Sequence, residues 1–248
     1  MSSQSLPGPV RDEVQAHRGA SAIAPENTIA AFRAAAEAGA KWVELDVALS
    51  ADGTLMVIHD DSVDRTSSGK GSLGALTSAE IGALDGGAWF DPRFAGERIP
   101  TLAEAIAALG ELGLSANVEI KQHAHHKSLD QLVRGVQAEI ARRAPTTRIM
   151  ISSFDAEALK AMHTLEPELE MAMLWGQVPQ DWEEKLAAIP ATTIHLHYKA
   201  LSIGLLEHMR ARGIRVRVWT CNDPLELVSF WNAGLTGVIT DNPQVFLG

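Results

Sequence analysis

The feature that most constrains the fold of this chain is a repeated change of texture. Short apolar runs alternate with stretches whose apolar residues recur at helical spacing. The strand-like runs are Val14–His17, Trp42–Leu49, Leu55–His59, Ala116–Lys121, Arg148–Ser153, Glu170–Trp175, Thr193–Tyr198, Ile214–Thr220 and Gly237–Thr240. Between them lie the helical patterns Thr28–Ala38, Leu102–Leu112, Leu129–Arg142, Ala156–Thr164, Trp182–Ala188, Ile203–Arg212 and Leu225–Ala233. Such alternation predicts parallel strands covered by helices. Thr101-Leu-Ala-Glu104 fits a capping box, and Ser128, Asp155 and Ser202 stand where N-caps belong. Gly39, Gly213 and Gly234 stand just past helix ends, where a left-handed residue is wanted.

One connection breaks the parallel rule. The link between Leu49 and Leu55 contains Asp52-Gly53. A parallel crossover takes a dozen or more residues, and Asp-Gly is a hairpin signature. The run from Leu55 therefore folds back antiparallel, leaving eight parallel strands. With 248 residues, the expectation is one α/β domain, a TIM (β/α)8 barrel over residues 1–248. A last short helix is expected after Asn242. Residues 61–100 interrupt the rhythm with Gly, Ser, Asp and the aromatics Trp89, Phe90 and Phe94. They read as a small insertion over the barrel mouth, with the aromatics buried in it.

Strands covered on both sides normally read as continuous apolar runs. Here Val43, Leu45, Val47 and Leu49 occupy one face of their strand, and Glu44 and Asp46 the other. In the fourth run Val118 and Ile120 face the helices while Glu119 and Lys121 face inward. Unpaired charges inside a barrel are very costly, and Lys121 alone cannot balance three acids. A divalent cation held by Glu44, Asp46 and Glu119 fits this all-oxygen set, and Mg²⁺ or Ca²⁺ suits it better than zinc. The competing reading is an ion-pair network with Arg or Lys. His17 and His59 end strand runs, and C-terminal strand ends carry the chemistry of such barrels. They are the candidate catalytic pair.

Other residues are less decisive. His195 and His197 share a strand face and either line the barrel or touch substrate. His123, His125 and His126 read as a solvated loop, with a His-rich metal tract as the alternative. Trp219 ends a strand at the rim and could form an apolar substrate wall or simply close the barrel. The single cysteine, Cys221, reads as a small buried hydrophobe. A net charge of −10 argues against nucleic acid and against a polybasic grip on a membrane. The N-terminus lacks a leader pattern and no run approaches a bilayer span, so a cytoplasmic enzyme without stable membrane association is expected.

His17-Arg-Gly19, Pro25-Glu-Asn-Thr28, Glu44-Leu-Asp46, His59-Asp60, Glu119-Ile-Lys121, Ser152-Ser-Phe154 and Thr240-Asp-Asn-Pro243 occur in that order. This ordered set resembles the glycerophosphodiester phosphodiesterase family, in its bacterial cytosolic form. The resemblance implies hydrolysis of glycerophosphodiesters to glycerol 3-phosphate and an alcohol. It implies catalysis by His17 and His59, a metal on Glu44, Asp46 and Glu119, phosphate contacts from Arg18, a site lysine at Lys121 and a rim aromatic at Trp219. Cys221 departs from the family's frequent Val. The chemistry is consistent: an alkoxide leaves poorly, since its alcohol has a pKa near that of water, about 15.7. Cations neutralise the phosphoryl oxygens, Arg18 offers them a bidentate fork, and two imidazoles move protons near neutral pH. The attacker is water or the substrate's own glycerol 2-hydroxyl. Alternatives are a phospholipid-cleaving phosphodiesterase or a non-catalytic barrel that binds phosphate esters.

Overall fold

The structure, a computed structural model, describes residues 8–123, 128–189 and 191–248. Its strands are β1 (Val14–His17), β2 (Trp42–Leu49), β3 (Leu55–Val57), β4 (Ser115–Ile120), β5 (Ile149–Ser153), β6 (Glu170–Trp175), β7 (Thr193–His197), β8 (Arg215–Trp219) and β9 (Gly237–Thr240). Among the described residues, eight of these pair in parallel in the order β1, β9, β8, β7, β6, β5, β4, β2, and β1 pairs β2 to close the ring. β3 lies antiparallel on the last part of β2, with Leu49 opposite Leu55 and Val47 opposite Val57. The Asp-Gly turn thus does what its chemistry requires, and its short span keeps β3 out of the barrel count.

Helices follow the strands: α1 (Ile29–Glu37), α2 (Ser78–Gly82), α3 (Leu102–Leu112), α4 (Leu129–Ile140), α5 (Ala156–Leu165), α6 (Trp182–Ala187), α7 (Ile203–Ala211), α8 (Val228–Trp231) and α9 (Gln244–Leu247). Thr101 and Glu104 form the reciprocal capping box, while Ser128, Asp155 and Ser202 accept from their first turns. The pattern expected as one helix from Leu225 is a 3-10 turn, Pro224–Leu227, leading into the single turn of α8. Pro224, which has no N–H to give, suits that tight start.

The core is the layer between strands and helices. Val43, Leu45, Val47 and Leu49 are all 5% exposed or less and join Phe32, Leu109 and Val136 from the helices. Each such side chain is worth about 1.5–3 kcal/mol of burial. Inside the ring, the lower end is filled by charge. Arg217, only 3% exposed, meets Glu13 at 2.8 Å and Glu170 at 3.2 Å. Arg215 reaches the same two acids. Above them Gln15 donates to the Met150 sulfur, and Asn117 donates to Gln15.

Residues 61–100 are ordered by aliphatic side chains rather than by their aromatics. Val63, Leu73, Ile81 and Ile99 pack with Ala48, Met56 and Ile58 in a small second core. The sequence reading buried Trp89, Phe90 and Phe94, but Trp89 is 39% exposed and the three rings stack edge to face on one another. Trp89 remains half out because its indole N–H finds the Gly86 carbonyl within the same loop.

The turn after β1 is the tightest element near the upper end. Gly19 has φ +84, and a Cβ there would come within 2.6 Å of the Ala31 backbone. Both the left-handed conformation and the contact demand glycine. Gly19→Ala should therefore cost about 1–3 kcal/mol in a urea titration. A midpoint equal to that of the parent protein would show that the turn has slack.

Candidate active site

The turn that needs Gly19 also presents Arg18, whose own φ is +54. A non-glycine residue held there carries strain of order 1–3 kcal/mol. The strained turn aims the Arg18 N–H at Glu44 Oε2, 3.1 Å away. The segment Pro25–Thr28 then folds back against it. Asn27, at φ +57, donates its N–H to the Arg18 carbonyl at 2.9 Å. Its side-chain amide bridges to Asp46, donating to Oδ2 at 2.9 Å and accepting from the Asp46 N–H at 3.3 Å. Glu26 Oε1 accepts from Arg18 Nη1 at 2.7 Å, and Thr28 caps α1. Asn27 thus ties the β1 turn to β2, Glu26 holds Arg18, and Thr28 starts the next helix.

Alternation along β2 and β4 turns Glu44, Asp46 and Glu119 into the barrel, where they are 3%, 1% and 8% exposed. One oxygen from each lies within 4.8 Å of the others. Lys121 Nζ donates to Glu119 Oε1 at 2.8 Å and stands 3.7 Å from Asp46 Oδ1. Arg18 Nε lies 3.1 Å from Asp46 Oδ2. Sequence reasoning set Lys121 alone against the three acids. Arg18 is a second cation in the cluster, so the ion-pair element of the competing reading is present too. It does not complete the site. Glu44 Oε1 and Asp46 Oδ1 are buried with no hydrogen-bond partner. Burial, then Asp46 and Glu119, pushes Glu44 well above the usual carboxylate range. Burial, then Asp46, pushes Glu119 up to about 7. Burial acts on Asp46 in the same direction, but Arg18, Lys121 and His59 outweigh it and hold Asp46 low. Two orphaned oxygens and two carboxyls reluctant to ionise fit a missing hard cation, which prefers oxygen ligands.

His17 and His59 flank this cluster. His17 Nδ1 lies 2.6 Å from Asp241 Oδ1, and its Nε2 lies 3.9 Å from Glu44. Asp241 is itself held by Ser21 Oγ at 2.9 Å and Asn222 Nδ2 at 2.8 Å. Burial would raise the Asp241 carboxyl, but its bond to His17 and the two other donors bring it down to about 2. His59 Nδ1 lies 2.7 Å from Asp60 Oδ1. A carboxylate on Nδ1 fixes the tautomer and leaves Nε2 as the working nitrogen. Burial, followed by the charges of Arg18 and Lys121, lowers the pKa of His59, which favours its neutral form.

A cavity of about 150 Å³ at the C-terminal end of the strands gathers His17, Arg18, Glu44, His59, Glu119, Lys121 and Trp219 among its lining residues. Asp46 is not in the lining but contacts it through Arg18 and Lys121. Phe154 and Trp219 meet edge to face, 5.7 Å between centroids, on the opposite wall with Leu174 and Ile239. His197 packs on Trp219, whereas His195 is fully buried below the cavity. Burial and the charges of Arg217 and Arg215 keep His195 neutral. Cys221 is buried, as expected of a small hydrophobe. His125 and His126 lie outside the described residues. Sequence reasoning gave no role to Glu26, Asn27, Asp60 or Asp241. Their only mark in the sequence was membership of the motifs Pro25-Glu-Asn-Thr28, His59-Asp60 and Thr240-Asp-Asn-Pro243.

A model of the glycerophosphoryl diester phosphodiesterase family matches residues 17–245. A glycerophosphodiester phosphodiesterase of Caldanaerobacter subterraneus is 37% identical over 240 residues, covering 94% of this chain and 96% of the relative. One from Bacillus subtilis is 30% identical over 262 residues, covering 99% and 88%. Among solved structures, an Oleispira antarctica phosphodiesterase in complex with the product sn-glycerol-3-phosphate superposes with a TM-score of 0.90. It has 32% identity and covers 97% of this chain and 95% of that one. No helix among the described residues is long and apolar enough to cross a membrane.

The raised carboxyls of Glu44 and Glu119 link the site to stability. Without a cation they hold protons that the unfolded chain has released, so stability is lost as pH rises through about 7. His59 and His195, with lowered values, act in the opposite sense, but only below about 6.5, where the unfolded imidazole titrates. Thermal melts of chelator-treated protein should therefore fall as pH rises from about 6.5, where the opposing histidine contribution ends, through about 7, where the Glu119 carboxyl ionises. Mg²⁺ or Ca²⁺ should cancel that fall, because the ionised carboxylates are what it binds. Melts indifferent to both pH and cation would remove the metal from the site.

Proposed function

Because the chain belongs to the glycerophosphoryl diester phosphodiesterase family, we propose that it is the enzyme that its site describes. In this reading it hydrolyses glycerophosphodiesters, such as glycerophosphocholine or glycerophosphoethanolamine, to sn-glycerol 3-phosphate and an alcohol. It acts on dissolved diesters in the cytoplasm, with residues 1–248 as one catalytic domain and 61–100 as an insertion at its mouth. The observation that carries the proposal is one cavity lined by two carboxylate-anchored imidazoles, two cations and two buried acids, with the third acid held against those cations.

Glu44, Asp46 and Glu119 would hold one divalent cation. When bound, that cation supplies positive charge against the phosphoryl oxygens. Arg18 and Lys121 bind the same phosphate from the protein side, where a dry wall strengthens each contact. Their positions are firm because Arg18 is pinned by Glu26 and Asp46, and Lys121 by Glu119. The Nε2 atoms of His17 and His59 face the cavity with opposite tasks. One takes the proton of the attacking hydroxyl, and the other gives a proton to the departing alkoxide. Trp219, backed by Phe154 and His197, forms the apolar wall against which the substrate lies.

Purified protein incubated with glycerophosphodiesters and Mg²⁺ or Ca²⁺ should release glycerol 3-phosphate, and chelator should abolish the release. His17→Ala and His59→Ala should each lose about 10²–10⁴-fold in kcat while melting normally. A variant that keeps its rate would take that histidine out of the chemistry. Full turnover in excess chelator would refute the role of the cation.

A further inference from the structure

We propose that Arg65, in the insertion, is a positioning residue for hydrolysis: one guanidinium clamps the two carboxylates that orient Arg18 and His59. The proposal rests on the reading of Arg18 as phosphate anchor and His59 as proton-transfer group.

The geometry is specific. Arg65 Nη1 and Nη2 donate to Glu26 Oε2 and Oε1 at 2.7 and 2.9 Å. Its Nε and Nη2 donate to Asp60 Oδ2 and Oδ1 at 2.7 and 3.0 Å. Both carboxylates are therefore held in bidentate fashion by one planar group, with Nη2 shared between them. Each carboxylate spends the same inner oxygen on a site residue. Glu26 Oε1 accepts from Arg18 Nη1 at 2.7 Å, and Asp60 Oδ1 meets His59 Nδ1 at 2.7 Å. The result is a chain of side chains, Arg18–Glu26–Arg65–Asp60–His59. Its two ends come from separate elements, the turn after β1 and the residues after β3. Arg65 is its joint, and neither it nor any other residue of its segment lines the cavity, so it can act there only through the groups it holds.

Two arguments assign this joint to orientation rather than to folding. The Arg65 side chain is 45% exposed, so its own contribution to stability is screened by water, and Glu26, at 13%, keeps Arg18 as a partner without it. What the fork supplies is direction. A bidentate clamp fixes the rotation of both carboxylates, and a lysine, as a point charge on a flexible stem, could hold one but not align two. Once released, Glu26 can swing and carry Arg18 with it. Asp60, likewise freed, no longer fixes the ring plane of His59.

Steady-state kinetics on glycerophosphocholine tests this. Glu26→Gln loosens only the Arg18 arm and should act mainly on KM. Asp60→Asn loosens only the His59 arm and should act mainly on kcat. Arg65→Met should move both constants, with a combined loss of about 10–100-fold in kcat/KM, and Arg65→Lys should not restore both. In the Glu26→Gln/Asp60→Asn background, Arg65→Met should cost nothing further. All of these variants should keep the melting transition of the parent. Wild-type kcat and KM in Arg65→Met, alongside impaired Arg18→Ala and His59→Ala, would overturn the proposal and leave the phosphodiesterase reading standing. So would a loss of activity that tracks a loss of the folded transition. A parent protein that releases no glycerol 3-phosphate from any diester would overturn both.

Discussion

Three carboxylates inside one barrel are the constraint around which the rest is arranged. Glu44, Asp46 and Glu119 sit where neighbouring strands would ordinarily place Val or Ile, and taking an ion out of water costs several kcal/mol even after relaxation. The chain meets that cost with groups drawn from several elements. Arg18 and Asn27 come from the connection between β1 and α1, and Lys121 from just beyond β4. The compensation is partial, since two oxygens remain without hydrogen-bond partners. That remainder fits a receptor for a cation better than a closed structural ion pair. The bent conformations of Arg18 and Asn27 belong to the same account. Strain in the backbone is tolerated where many side-chain bonds over-determine the position.

The barrel was legible in the sequence because its cause is periodic. Outward-facing Val43, Leu45 and Val47 report a covered strand in sequence alone, and Asp52-Gly53 reports a reversal. The inward acids were legible for the complementary reason: a charge at a core position violates the pattern and so stands out. Glu26, Asn27, Asp60 and Asp241 were quoted in motifs, yet nothing in one dimension says that Asp241, at the far end of the chain, bonds to His17. That meeting is made by closure, when β9 pairs with β1. The aromatics of residues 61–100 misled for another reason. Size and hydrophobicity argued for burial, but Trp89 and Phe90 sit in a loop whose bonds are local, and smaller aliphatic residues took the available core. The boundary near Leu225 shifted because Pro224 dictates a tight turn that helical spacing does not reveal.

Both imidazoles follow one rule of construction, with a carboxylate on Nδ1, but the supports differ. Asp241 is held by neutral donors, Ser21 and Asn222, at the seam where the barrel closes. Asp60 is held by a guanidinium at the solvent edge. The seam side is therefore fixed by the fold itself, whereas the other side depends on a segment added to it. In the proposed chemistry the two imidazoles have opposite duties in proton transfer, and distinct electrostatic surroundings are how one site can hold an acid and a base at one pH.

The plugged lower end of the barrel bears on traffic. With Arg217, Arg215, Glu13 and Glu170 interlocked at the lower end of the barrel, the way into the cavity among the described residues is from the C-terminal end of the strands. An incoming diester and a departing phosphate monoester must pass through the same opening, one after the other. The phosphate that leaves carries more negative charge than the one that entered, so the cations that drew the substrate in grip the product harder.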